Sequence, residues 1–182
     1  LYVLARNGAA PVGDLRYIAD VKLNDLATPI AKAQIAAALS MLGDKGRADT
    51  VYLSALNAMS PEPKLDIGRA DFGSALRDAA ALVTLASEGR APQATITQAV
   101  ARIDSARKLT SSTSTQENAW LVLAARALAG QLNAISLSVN GEARQGAYYR
   151  SVAVDQLAQP VTVSNSGAGA VCLSVRRACA RA

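Results

Sequence analysis

Residues 112–128 read Ser-Thr-Ser-Thr-Gln-Glu-Asn-Ala-Trp-Leu-Val-Leu-Ala-Ala-Arg-Ala-Leu, and they carry the start signal of a helix. Ser114 and Glu117 have the spacing of a capping box, in which the hydroxyl accepts the amide of Glu117 and the carboxylate accepts the amide of Ser114. Residues 119–129 are apolar except for Arg126. The stretch therefore predicts a helix that is buried on most of its circumference.

The composition agrees with a helical protein. The 182 residues are 51% hydrophobic, which is enough for a sizeable core, but only 4% are aromatic. Alanine and leucine dominate, and they favour closely packed helices. The sequence predicts a mainly α protein.

Further helix boundaries follow from caps, prolines and glycines. Helix starts are indicated near Gly13, Thr28, Ala48, Ser74 and Pro92. Four of these helices are predicted to end near Asn24 or Leu26, before Gly43, at Ser60–Pro63 and at Gly89. Short connections between them predict helical hairpins.

The inward faces of these helices are predicted from apolar residues at helical spacing. The predicted core positions are Leu15, Ile18, Val21, Ala48, Val51, Tyr52, Ala55, Met59, Leu76, Ala79, Ala80, Val83, Ile96, Val100, Ile103 and Trp120. Arg77-Asp78, at a helix start, is expected to be an exposed pair, although it could also line a concave surface.

Near Ile135 the apolar period changes from 3.6 to 2. Ile135, Leu137 and Val139 alternate with small polar residues, and Asn140-Gly141 is typical of a type I′ hairpin turn. Additional strands are predicted at 149–154, 161–164 and 170–175. The expected fold class is a mainly α protein with a short antiparallel β segment, divided into residues 1–133 and 134–182.

Several function classes are disfavoured by what the sequence lacks. With no histidine, histidine-activated nucleophiles and imidazole metal sites are excluded within this chain. Cys172 and Cys179 cannot form a four-thiolate site, and a disulfide between them stays open. We expect no cofactor and no catalytic residue.

The net charge of +5 is scattered among acidic residues, without interleaved aromatics, so nucleic acid is not expected as a partner. No run reaches the roughly 20 apolar residues of a membrane span. Leu1–Gly8 looks like the last turns of a helix closed by Gly8, and we expect the chain to be a piece of a longer polypeptide.

Three segments, in order, add to the capping-box stretch. They are Thr28-Pro29-Ile30-Ala31-Lys32-Ala33-Gln34, Leu42-Gly43-Asp44-Lys45-Gly46-Arg47-Ala48 and Gly73-Ser74-Ala75-Leu76-Arg77-Asp78. Together the four stretches resemble the thioester-containing helical domain of the alpha-2-macroglobulin family, particularly its bacterial members.

The resemblance implies that residues 1–133 are the C-terminal part of an α/α toroid and that residues 134–182 are part of a β-sandwich. It implies a parent protein that traps proteases in host defence, lies in the periplasm, is often a lipoprotein and works beside cell-wall synthesis enzymes. The partners would be the remainder of the parent chain and the trapped proteases. Ser174 and Val175 depart from the Cys-x-Glu-Gln thioester motif after Cys172, so we expect no thioester in this chain.

The resemblance also marks a candidate interaction surface. Ser114, Thr115, Gln116 and Glu117 match a helix start that lies toward the thioester-bearing end of the domain in relatives. The alternative is a helix cap with no further role. Trp120 is expected to pack in the core and not to bind a ligand.

Two other functions fit a helical domain of this kind. A terpenoid cyclase shares the toroid architecture, but the chain has no Asp-x-Asp-Asp or Asp-Asp-x-x-Asp motif. An independent helical-repeat scaffold would offer a concave binding surface, but the helix starts are unevenly spaced. The sequence favours a non-catalytic fragment of a protease-trapping protein.

Overall fold

The structure is a computed structural model that describes residues 1–59, 69, 71–132, 135–146, 148–156 and 158–167, with the side chains of 130–132 left out. The chain divides into two compact units, Leu1–Leu128 and Ala129–Ala182. The assignment of 1–133 to a toroid domain and of 134–182 to a sandwich stays a prediction.

The described part of the first unit is helical. Its helices are α1 (Tyr2–Arg6), α2 (Val12–Val21), α3 (Pro29–Met41), α4 (Lys45–Ala58), α5 (Ala75–Glu88), α6 (Gln93–Leu109) and α7 (Thr115–Leu132), with a 3₁₀ turn at Leu23–Asp25. The closest pairs are α3 with α4 and α5 with α6, and α3 also packs on α5. The predicted mainly α class is confirmed.

The predicted start of α3 is confirmed in detail. Pro29 is its first residue, and the Thr28 hydroxyl accepts the amide of Ala31 at 3.3 Å. Proline fits the first helical position because the amide it lacks would have no partner there. The helix ends at Met41, before Gly43, whose φ of +83° suits a residue without a Cβ.

The core of the first unit is built on α3 and α5. Every side chain from Leu76 to Ala86 is buried, and alanines at Ala36, Ala79 and Ala80 let the helices approach closely. Tyr52 of α4 is fully buried, and its hydroxyl donates to the carbonyl of Leu85 at 2.8 Å. That bond satisfies the one polar atom of the largest buried side chain.

Two predictions about the burial of apolar residues in this unit are wrong. Val21 is 61% exposed because α2 lies at the edge of the unit and turns only Leu15 fully inward. Helix α7 is not buried on most of its circumference, since Val122 is 68% and Leu123 is 42% exposed. Trp120 is partly buried and packs against the core, as predicted.

The second unit contains a small antiparallel sheet in the order β2, β1, β3, formed by β1 (Ser136–Val139), β2 (Glu142–Gln145) and β3 (Val163–Asn165). Leu137 and Val139 are buried, as their alternation predicted. Asn140 and Gly141 have φ of +51° and +87°, which confirms the predicted turn.

The strand predicted at 149–154 is wrong. The described residues 148–153 have no regular structure, and a 3₁₀ turn occupies Val154–Gln156. The side chains of Tyr149 and Val154 are 90% and 85% exposed, so this segment has no sheet face to bury them. The strand predicted at 170–175, both cysteines and the helix end predicted at Ser60–Pro63 lie outside the described residues.

Among the helices that the structure describes, none combines the length and apolar character that a bilayer crossing requires.

Candidate functional site

Helix α7 begins with the predicted capping box. The Ser114 hydroxyl accepts the amide of Glu117 at 3.2 Å, and the Glu117 Oε2 accepts the amide of Ser114 at 2.6 Å. Two amides that would lack partners at a helix start are thus satisfied reciprocally. Ser114, Thr115 and Gln116 are exposed, whereas Glu117 is buried.

Helix α5 begins beside α7. Ser74 caps α5 by accepting the amide of Arg77 at 3.1 Å. The same hydroxyl donates to the Glu117 Oε1 at 2.6 Å, across 43 residues of sequence. One carboxylate therefore joins the starts of two helices, where the partial positive charge of each helix favours it.

The environment of Glu117 favours its charged form. Burial alone would raise the pKa of this carboxyl, but the hydrogen bonds from Ser74 and Ser114 outweigh that effect and hold its pKa below the usual value. The charged form is thus an integral part of the junction, which we call the Ser74–Glu117 junction.

Next to this junction lies a cluster of four charged side chains, Arg69, Asp71, Arg77 and Asp78. Arg77 Nη2 contacts Asp71 Oδ2 and Asp78 Oδ1, each at 2.7 Å, and its Nε donates to Asp78 Oδ1 at 3.0 Å. Arg69 contacts Asp78 at 2.9 Å and Asp71 at 2.8 Å. Two guanidinium groups and two carboxylates balance in charge, and each carboxylate is shared by both arginines.

The cluster corrects the prediction that Arg77-Asp78 is an exposed pair. Arg77 is 6% and Asp78 is 1% exposed. Both are buried because Arg69 and Asp71, before the helix, supply the partners that buried charges require. Hydrogen bonds from Arg77, followed by those from Arg69, hold the pKa of Asp71 far below its usual value despite partial desolvation.

The cluster reaches the predicted interaction surface through Gln116. Arg77 Nη1 donates to Gln116 Oε1 at 3.3 Å and to the Asp71 carbonyl at 3.2 Å. The structure therefore brings Ser114, Gln116 and Glu117 together with α5 and leaves Thr115 exposed beside them. Whether these residues form an interaction surface stays a prediction.

The loop before α5 was missed by sequence reasoning. Phe72 is 88% exposed and has a φ of +51°, a conformation that is uncommon for an aromatic residue. At Gly73 a Cβ would collide with the guanidinium of Arg77. The opposite charges at 69, 71, 77 and 78 around a glycine are the sequence signal for this loop.

The arrangement is suited to holding structure. Its carboxylates are engaged by arginines, hydroxyls or amides, so none of them is a free general base. In the described parts of the chain, no group of three or more histidine, cysteine, aspartate or glutamate side chains is placed to hold a metal ion.

The described chain combines helical hairpins with a small antiparallel sheet that follows them in the sequence. Solved structures of bacterial alpha-2-macroglobulins share this architecture. The chain is similar to a segment of these proteins over 91% of its length, at 28–32% identity, which confirms the resemblance seen in the sequence.

Three of these structures illustrate the match. Salmonella alpha-2-macroglobulin reacted with methylamine is 32% identical, with a TM-score of 0.60, and the match covers 11% of that chain. Escherichia coli alpha-2-macroglobulin activated by porcine elastase is 29% identical, with a TM-score of 0.62 and 15% of that chain covered. The native Escherichia coli protein, from domain MG7 to the C-terminus, is 28% identical, with a TM-score of 0.60 and 26% covered. Each match covers 91% of this chain.

The chain thus spans about a tenth to a quarter of the length of these relatives. No protein-family profile and no curated protein sequence matches it.

Proposed function

We propose that this chain is a non-catalytic part of a bacterial alpha-2-macroglobulin-like protein that traps proteases. The observation that carries the proposal is the similarity to bacterial alpha-2-macroglobulins along 91% of the chain at 28–32% identity. One of the solved structures is that of a relative activated by porcine elastase, which supports a link between this architecture and a response to a protease.

Within such a protein the chain would have a structural role. The Ser74–Glu117 junction and the four-residue charged cluster fix the starts of α5 and α7, and they leave Thr115 and Gln116 exposed on one side. We assign the exposed residues Ser114, Thr115 and Gln116 as an interaction surface toward the thioester-bearing part of the parent, with the buried Glu117 holding that surface in place. The partners would be the rest of the parent chain and, through the intact parent, proteases and cell-wall synthesis enzymes. The parent would be periplasmic.

The proposal is tested with the complete product of the gene that encodes this chain. Addition of elastase should change the mobility of the protein on a native gel. Cleavage that triggers trapping would change the shape of the protein, and mobility depends on shape. The 182-residue chain alone, run beside it, should bind no elastase. An unchanged mobility of the complete product, despite cleavage, would count against the proposal.

The non-catalytic role of the segment has its own test. Methylamine opens an internal thioester and remains attached to the acyl group, while the cysteine sulfur is released as a thiol. The chain alone should keep its intact mass under denaturing conditions after methylamine treatment. A gain of one methylamine would show that the segment carries the reactive group itself.

A further inference from the structure

The Ser74–Glu117 junction does more than cap two helices. Most capping interactions are local, but here one hydroxyl accepts from its own helix α5 at 3.1 Å and donates to the first turn of α7 at 2.6 Å. The Glu117 carboxylate in turn holds the amide of Ser114. The amides that start α7 are therefore linked to the cap of α5 through a single side chain.

The rest of α7 is held weakly. Among its described side chains only Glu117 and Ala124 are buried, while Trp120, Leu121 and Leu128 are partly buried against the core. Its outer face exposes Val122 and Leu123. In contrast, α5 is buried continuously from Leu76 to Ala86. Elements with little buried apolar surface are the ones that open locally at low free-energy cost.

We propose that the Ser74–Glu117 junction is a latch: it ties the opening of α7 to the firmly buried start of α5, and its release frees α7 while the remaining helices stay packed. The second link across the same gap, Arg77 to Gln116 at 3.3 Å, is longer and reaches an exposed side chain. Glu117 therefore makes the stronger of the two described links between α5 and α7.

The charged surroundings make the latch specific to Glu117. The charged groups facing the junction are Arg77 and Asp78 of α5 and Arg69 and Asp71 of the preceding loop, and these four engage one another. The Glu117 carboxylate is instead held by a hydroxyl and an amide. A change at Ser74 or Glu117 therefore removes no charged partner from this cluster, although Ser74 also accepts the amide of Arg77.

Amide hydrogen exchange of the full chain tests the latch. Ser74→Ala lies in α5, yet it should speed the exchange of amides 118–122 in α7 by roughly tenfold, the effect of losing one hydrogen bond to a charged group. Amides of α4 in the same sample give the baseline for global opening. Thr28→Ala is the matched control, since it removes an equivalent cap from α3 that has no link to α7.

An effect of Ser74→Ala that stays within α5 would overturn the proposal. If that variant does not fold, as judged by circular dichroism, Ser74→Gly decides, because glycine is tolerated at a helix N-cap but lacks the hydroxyl that reaches Glu117. Faster exchange at amides 118–122 of α7 in this variant supports the latch. Unchanged exchange there overturns it.

Discussion

Arg77 donates two hydrogen bonds to the carboxylate of its own neighbour Asp78, from Nε at 3.0 Å and from Nη2 at 2.7 Å. Adjacent residues on a helix point about 100° apart, so this contact requires the arginine to fold back over the helix start. It does so because Asp71 holds the same guanidinium from the other side at 2.7 Å.

The buried carboxylate of Asp78 should therefore be critical for stability. Asp78→Asn leaves Arg77 and Arg69 with less than their full negative partner, and we expect a loss of about 3 kcal/mol in the free energy of unfolding. Urea denaturation measures it. Asp25→Asn is the control, because its pair with Lys22 is exposed and should contribute less than about 1 kcal/mol. Equal effects of the two variants would contradict the importance of the cluster.

The capping box at α7 predicts a smaller, local effect. Ser114→Ala removes the acceptor of the Glu117 amide and should cost about 0.5 to 2 kcal/mol, the usual range for an N-cap. Denaturation of the variant beside the parent chain checks it. An unchanged midpoint would mean that another group satisfies that amide.

Replacing Trp120 should lower the free energy of unfolding by less than replacing a fully buried aromatic residue. Removing a core tryptophan costs about 3 to 5 kcal/mol, but Trp120 is only partly buried, so we expect Trp120→Ala to lose about 2 kcal/mol. Val122→Ala on the same helix should be nearly neutral, since that side chain is 68% exposed. A tryptophan variant as stable as the valine variant would place Trp120 outside the core.

Acid should destabilise the first unit through its lowered carboxyl pKa values. The pKa of Asp71, held down by Arg77, and that of Glu117 both lie below their ordinary values of 3.8 and 4.5. Their contribution is fully present above those ordinary values and is lost as the pH falls through the lowered ones. The free energy of unfolding should decrease below about pH 4.

Glu117→Gln isolates one part of that acid response. Its unfolding free energy should fall less steeply in acid than that of the parent, because the group responsible no longer titrates. Glu142→Gln, at an exposed pair with Arg144, should keep the parent's steepness. Identical slopes for all three proteins would refute the role of Glu117.

Sequence patterns correctly predicted features that depend on residues close together in the chain. The caps at Thr28 and Ser114 and the turn at Asn140 depend on neighbours within a few residues, and all three are as predicted. The apolar face of α4 was also predicted correctly from its helical spacing, since Val51 and Tyr52 are buried.

Burial that depends on distant partners could not be read in this way. The apolar run of α7 predicted a buried helix. The spacing of apolar residues within a helix does not determine how many neighbouring helices surround it. Arg77 looked exposed because its partners Arg69 and Asp71 lie before the helix start. The role of Ser74 beyond its own helix was hidden for the same reason, since Glu117 follows 43 residues later.

The size dependence of elastase activity, measured after reaction with the complete gene product, tests the proposal that the chain is part of a protease-trapping protein. A protease enclosed by a trap would keep its active site but would be shielded from large substrates. Cleavage of a large protein substrate should therefore fall while cleavage of a small peptide substrate is retained, and the 182-residue chain alone should change neither. Undiminished cleavage of the large substrate, or equal loss of both activities, would contradict it.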